Sequence, residues 1–184
     1  MASTPERALD TFLAAGAQAG DAKLTARLIT RWTPRLSALA WRLLQRRDGV
    51  DDVVQDAWIE ILNGLARLRA PEAFPAFAFR ITQRRCARVI AQASRDRRLA
   101  EAVKAEPDPE PATDAERSAD GAKAARAMAA LPPEQHAALW LHHIQGFSVR
   151  EIALALDVPA GTVKTRLMHA RRKLAAQLQG GDHV

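Results

Sequence analysis

The sequence predicts an all-α protein of two small helical domains joined by an acidic, Pro-rich linker. Three observations carry this. Apolar positions recur at helical spacing from about residue 7 to 98, and again in the last sixty residues. The apolar residues are mostly Ala and Leu with no Tyr, a usage that favours helices over sheets. Between the two periodic zones, residues 99–120 are rich in Pro and acidic side chains and lack a hydrophobic period, the signature of an extended linker that cannot bury enough surface to fold alone. The expected division is therefore 1–98, 99–120 and 121–184.

In the first zone a helix is expected from about Asp21 to Leu44, carrying Leu24, Leu28, Trp32, Leu36, Leu39 and Leu43 inward, with Pro34 as a kink point. A second starts near Asp51 and buries Val53, Val54, Ala57, Trp58, Ile61, Leu62 and Leu65. Its opposite stripe is Asp52, Gln55, Asp56, Ile59 and Asn63. An acidic, polar face with one apolar residue at its centre suits docking to a basic partner. Arg67 to Phe79, with Pro71, Phe74, Pro75 and Phe77, reads as an aromatic loop. A helix from Phe79 to Arg95 follows. Arg84, Arg85, Arg88, Gln92 and Arg95 lie on one side of it, and Phe79, Thr82, Cys86, Val89, Ile90 and Ala93 on the other, while Arg97 and Arg98 extend the positive run. Cations beside aromatic rings hold single-stranded DNA by tracking phosphates and receiving unstacked bases.

After a helix from about Ala115 to Ala130, Pro132-Pro133 opens another that carries Ala137, Ala138, Leu141 and Ile144 inward and is broken at Gly146-Phe147. Ser148 and Glu151 form an S-x-x-E capping box for a short helix, Val149 to Leu156, that buries Ile152, Ala155 and Leu156. A turn at Asp157-Val158 leads to Pro159 and the last helix. Val163, Leu167, Ala170 and Leu174 form its buried stripe. Thr165, Met168 and Arg172 fall opposite, flanked by Thr162, Lys164, His169 and Arg171. This is helix-turn-helix spacing, with donors on the free face of the second helix where a major groove needs them.

The chain carries 27 basic and 21 acidic residues, net charge +6, with a pI near 10.4, so a polyanionic partner is expected. The one cysteine, Cys86, excludes an internal disulfide and reads as a small core residue. With no run near the ~20 apolar residues that span a bilayer and no signal-peptide pattern, a cytoplasmic protein is expected.

Taken together, these segments resemble the bacterial sigma factors of RNA polymerase, specifically the extracytoplasmic-function (ECF) group. Ala40-Trp41-Arg42-Leu43-Leu44 and Asp51-Asp52-Val53-Val54-Gln55-Asp56-Ala57-Trp58 look like the region-two helix that binds the polymerase β′ clamp. Phe77-Ala78-Phe79-Arg80-Ile81-Thr82 is similar to the family's W-L-x-x-I-A segment. Leu131-Pro132-Pro133 through Gly161-Thr162-Val163-Lys164-Thr165-Arg166-Leu167 and Ala170-Arg171-Arg172-Lys173-Leu174 follow its region-four pattern.

The resemblance implies partners: core RNA polymerase (β′ clamp and β flap), promoter DNA and an anti-sigma factor. It implies that Asp52, Gln55, Asp56 and Ile59 face polymerase and that the loop from about Arg67 to Phe77 captures a flipped base of the −10 element. Arg80, Arg84, Arg85, Arg88 and Arg95 would handle the melted strand. Lys164, Thr165, Met168 and His169 would read the −35 element, with Thr162 in the same DNA-binding region and Arg166, Arg171 and Arg172 on phosphates or packing. Three departures mark this chain: Phe77 where the family usually has Trp, Arg84 and Arg88 where Asn and Asp are frequent, and His169 where Arg is frequent.

Two other functions fit the helix-turn-helix alone, a polymerase-independent dimeric regulator and a sigma mimic that only sequesters an anti-sigma partner. An enzyme is disfavoured. His142-His143 have no Asp, Glu or Cys at ligand spacing, there is no Walker or Rossmann glycine pattern, and neither cofactor nor metal is expected.

Overall fold

The computed structural model describes residues 4–99 and 126–179. Of the expected linker (99–120) only Leu99 is described, as the last residue of a helix; the rest of it, most of the expected Ala115–Ala130 helix and the tail after Gln179 lie outside the described residues, and of the expected helix residues 126–129 are described and helical.

The N-terminal body is built from α1 (Thr4–Gln18), α2 (Ala22–Leu44), α3 (Val50–Leu65), a 3₁₀ turn (Pro71–Ala73) and α4 (Phe74–Leu99). The C-terminal body is α5 (Pro133–His143), α6 (Val149–Leu156) and α7 (Ala160–Gln179). No strand occurs among the described residues.

Local chemistry sets the boundaries. Asp21 caps α2 by accepting from the Lys23 and Leu24 amides at 2.8 and 3.0 Å. Pro34 does not end that helix. Gln45, in the left-handed region at φ 55°, closes it by donating a hydrogen bond from its backbone N–H to the Trp41 carbonyl. Gly49 at φ 81° opens α3 where a side chain would be strained. At the other end of α3, Gln18 Nε2 donates to the Leu65 and Leu68 carbonyls at 3.0 and 2.8 Å, which satisfies acceptors the helix leaves open.

Helix α1, which no motif announces, is bolted down by one buried carboxylate. Asp10 accepts from Arg31 Nε at 2.7 Å, Trp32 Nε1 at 3.1 Å and Arg35 Nη1 at 2.8 Å. Three donors around one carboxylate offset its desolvation.

The expected aromatic loop is a correction. The helix begins at Phe74, five residues before Phe79, and the irregular segment shrinks to residues 66–73. Pro75 is accommodated because first-turn amides have no intrahelical acceptor. Phe74 and Phe79 are fully buried and pack on Trp32, Phe74 edge-on at a centroid distance of 5.1 Å and Phe79 tilted at 5.3 Å. They are core, not a platform for bases. Three apolar residues expected inside, Leu62, Ile90 and Ile144, lie exposed. Ile144 is the cap residue of α5, still helical with its amide bonded to the Trp140 carbonyl, and its side chain stands exposed at that end.

The two bodies do not stand apart. Helix α6 packs along α4, and α5 packs against α2. The buried apolar residues of both bodies form one contiguous cluster.

Candidate nucleic-acid and polymerase interfaces

The helix-turn-helix forms as its sequence dictates. Ser148 Oγ accepts from the Glu151 amide at 3.3 Å, and Glu151 Oε2 accepts from the Ser148 amide at 2.7 Å. Burial works to raise the Glu151 carboxyl, but the Ser148 hydrogen bonds and the Arg7 guanidinium outweigh it and hold the group below its ordinary value. Ile152, Ala155 and Leu156 are buried. Asp157 ends α6 in the left-handed region at φ 55°, a conformation that Asp tolerates better than most side chains.

On α7, Val163, Leu167 and Ala170 are buried and Leu174 half-buried, while Lys164, Thr165, Met168, Arg171 and Arg172 are exposed and Thr162 and His169 half-exposed. Met168 is 57% exposed, a large apolar side chain in the middle of a polar face. Arg172 Nη2 lies 3.4 Å from His169 Nδ1, which positions the imidazole ring. Arg166 stands apart from this group: it is half-buried and lines a cleft of about 570 Å³ with Glu134, Leu44 and Ile90, facing the N-terminal body.

On α3, Asp52, Gln55, Asp56 and Ile59 are all exposed along one face, Ile59 at 56%. Trp58 anchors the helix from behind by donating from Nε1 to Thr33 Oγ1 at 3.0 Å.

The arginines of α4 divide by environment. Arg88 and Arg95 are exposed. Arg85 is half-buried between two carboxylates of α3, with Nη2 2.7 Å from Glu60 Oε2 and Nη1 3.2 Å from Asp56 Oδ2. It thus ties the basic helix to the acidic stripe, and Glu60, which the sequence reading passed over, completes the tie. Arg84 reaches the other body and pairs with Asp157 at 3.0 Å.

Arg80 faces the short loop. With Arg67, Leu68, Arg69, Ala73 and Phe77 it borders a concavity of about 600 Å³, and its Nε is buried without a hydrogen-bond partner. Phe77 packs on Gly64, where a Cβ would come within 2.8 Å of the ring, so glycine is what lets this ring close the back of the concavity. The side chains of Arg97 and Arg98 lie outside the described residues.

Cys86 behaves as ordinary structure: it is buried, and desolvation pushes its thiol up to about 12. His142 is half-buried with Nδ1 2.9 Å from the Phe147 carbonyl, while His143 is exposed. No group of three or more metal-ligating side chains is found among the described residues, and no helix among them is long and apolar enough to cross a membrane.

The comparisons agree with this geometry. Residues 28–96 match the family model for Sigma-70 region 2, and residues 122–174 match Sigma-70, region 4. The chain is 32% identical over 172 residues to the ECF RNA polymerase sigma factor SigM of Mycobacterium tuberculosis, covering 92% of this chain and 84% of that protein. It is 31% identical over 152 residues to the ECF RNA polymerase sigma factor SigE of Mycolicibacterium smegmatis, of whose length it spans 58%. In fold it is similar to the sigma factor RpoE of Bartonella quintana, solved with the anti-sigma factor NepR, at a TM-score of 0.71 and 22% identity over 84% of this chain and 96% of that one. With both family models matched along the chain, in regions 2 and 4, and a relative 32% identical over most of both proteins, the chain belongs to the ECF RNA polymerase sigma factors.

Proposed function

We propose that this sigma factor divides promoter recognition among three faces. The Asp52, Gln55, Asp56 and Ile59 face of α3 docks on the β′ clamp of core polymerase, with Ile59 as the apolar centre of a charged rim. The concavity beside Arg80 takes a base flipped from the −10 element, and Arg84, Arg88 and Arg95 hold the strand that leaves the duplex. Arg85 supports that helix from behind. The free face of α7 enters the major groove at the −35 element. There Thr162, Lys164, Thr165, Met168 and His169 approach bases, with Arg172 on phosphate, Arg166 toward packing and the C-terminal body against the β flap.

On this reading residues 1–98 and 121–184 are the two promoter-reading domains and 99–120 the spacer. The family is not a catalytic one, and this chain acts by binding alone, without cofactor, in the cytoplasm. An anti-sigma factor restrains it, a reading supported by the complex in which a relative in fold was solved.

The observation that carries the proposal is the outward face of α7, where Met168 stands exposed opposite a fully buried Val163, Leu167 and Ala170. Reconstitution with bacterial core polymerase on fragmented genomic DNA, followed by sequencing of transcript ends, tests it. Defined start sites absent with core alone are expected; no start above core alone would overturn it.

A further inference from the structure

The outer wall of the helix-turn-helix holds two imidazoles with no part in the promoter contacts above. His142 and His143 stand side by side in the last turn of α5, ring centroids 4.8 Å apart. His142 borders a concavity of about 390 Å³ with Val149, Lys164, Leu167, Met168 and Arg171. Lys164 and Met168 belong to the outward face of α7, so the concavity opens at the edge of the surface assigned to the −35 element.

The backbone fixes the first of these rings. The Phe147 carbonyl can only accept, and it lies 2.9 Å from His142 Nδ1. Nδ1 therefore carries the proton, and in the neutral ring Nε2 is a bare lone pair. A bare nitrogen repels a phosphate, whereas a protonated one donates to it. The charges around the pair are positive. Lys164 and Arg171 come from α7, and α6 adds only the apolar Val149 to the concavity. Across the Gly146-Phe147 loop, Arg7 of α1 and Glu151 of α6 answer each other at 3.2 Å, and Arg42 of α2 faces His136 and the Trp140 ring. Slight burial, His142 and the Arg171 guanidinium hold the His143 imidazole below its ordinary value. An anion at this spot supplies what a further proton needs.

We propose that His142, His143 and Arg171 grip a backbone phosphate of the −35 duplex, and that the grip is completed by a proton taken up on binding. Phosphate contacts position a reading helix without choosing bases, so the proton sets how tightly α7 is held and not which sequence it reads. The sign follows from linkage. A group that holds its proton more tightly in the complex strengthens the complex as pH falls, and the gain levels off once the free protein is protonated as well. The inference rests on the duplex-reading role of α7 proposed above.

The test uses the full chain and a fluorescent mixed-sequence duplex, with affinity measured at about pH 8 and about pH 6.2 at one salt concentration. Wild type is expected to bind about fivefold tighter or more at the lower pH. Calorimetry near pH 7 in buffers of different ionisation enthalpy should show uptake of up to about one proton. His142→Gln combined with His143→Gln should bind at both pH values as wild type does at the higher one, with no uptake. His142→Lys combined with His143→Lys, charged throughout, should bind at both as wild type does at the lower one. His169→Gln should keep the pH dependence, although that imidazole also sits on α7. Circular dichroism shows which variants are folded; should the Gln pair not fold, the Lys pair and the wild-type proton count still decide. An equal pH dependence in the Gln pair, pH-independent binding in wild type, a pH-dependent Lys pair, or loss of the effect in His169→Gln would each overturn the proposal. Defined transcript starts with pH-independent binding strike the histidine pair alone. Absence of starts with proton uptake intact strikes the sigma-factor reading and leaves the phosphate site standing.

Discussion

His136 stands edge-on to Trp41, ring centroids 5.9 Å apart at 89°, and is fully buried where the two bodies meet. Burial, reinforced by the nearby Arg42 guanidinium, pushes its imidazole down from 6.5 to about 3. The folded protein therefore refuses a proton that the unfolded chain accepts. The stability this neutral ring contributes is complete above pH 6.5 and is lost progressively as pH falls from there toward 3, at about 1.4 kcal/mol per pH unit. Between pH 7 and pH 5 wild type should lose about 2 kcal/mol through this one group. Urea unfolding at the two pH values checks it: in His136→Gln that loss should be absent, and an equal pH dependence in both proteins would refute the assignment.

Asp10 is the single acceptor for Arg31, Trp32 and Arg35 at 2.7, 3.1 and 2.8 Å. Asp10→Ala leaves the buried indole N–H and two half-buried guanidinium groups without it. A loss of about 2–4 kcal/mol is expected, measured as a fall in urea midpoint at unchanged m-value. A change under about 0.5 kcal/mol would mean that α1 is held by apolar packing alone.

Arg85 and Arg88 are neighbours in sequence with different work. Arg85→Ala should cost about 1–2 kcal/mol of stability, because it releases Glu60 and Asp56 from their shared partner. Its effect on single-strand affinity should be smaller than that of Arg88→Ala, whose side chain is exposed and is expected to leave thermal stability unchanged. The reverse order would make Arg85 the strand contact.

Arg172 and Met168 should separate affinity from specificity. Arg172→Ala, at an exposed position on α7, is expected to weaken duplex binding to all sequences alike and to reduce the salt slope by about 0.9, the signature of one phosphate contact. Met168→Ala should leave that slope unchanged and shift base preference at one or two positions, read by selection of bound duplexes from a random pool. An unchanged preference would remove Met168 from the groove.

The C-terminal body was legible almost residue by residue, because its signals are local. A hydroxyl and a carboxylate three residues apart and a tight turn each act within about one helical turn, and the apolar stripe Val163, Leu167, Ala170 and Leu174 lies on a single helix. The acidic face of α3 was legible as exposure for the same reason. The segment before α4 was misread because Pro75 breaks a helix interior but is harmless in a first turn, and nothing nearby says which position it holds. Ile144, Leu62 and Ile90 mark where a period was followed beyond the surface that buries it. The contact between the two bodies was not legible at all. Phe79 meets Phe147 across 68 positions of sequence, and Arg7 meets Glu151 across 144; only the assembled fold brings them together.

Of the chain's four tryptophans, Trp41 and Trp140 pack where the two bodies meet, and Arg42 sets its guanidinium carbon 5.8 Å from the first ring and 4.7 Å from the second. A cation over an indole and the exclusion of water both alter how the ring emits light. The protein thus carries its own optical gauge: the colour and intensity of tryptophan fluorescence register whether its halves are joined, in native, unlabelled material and on the timescale of a mixing experiment.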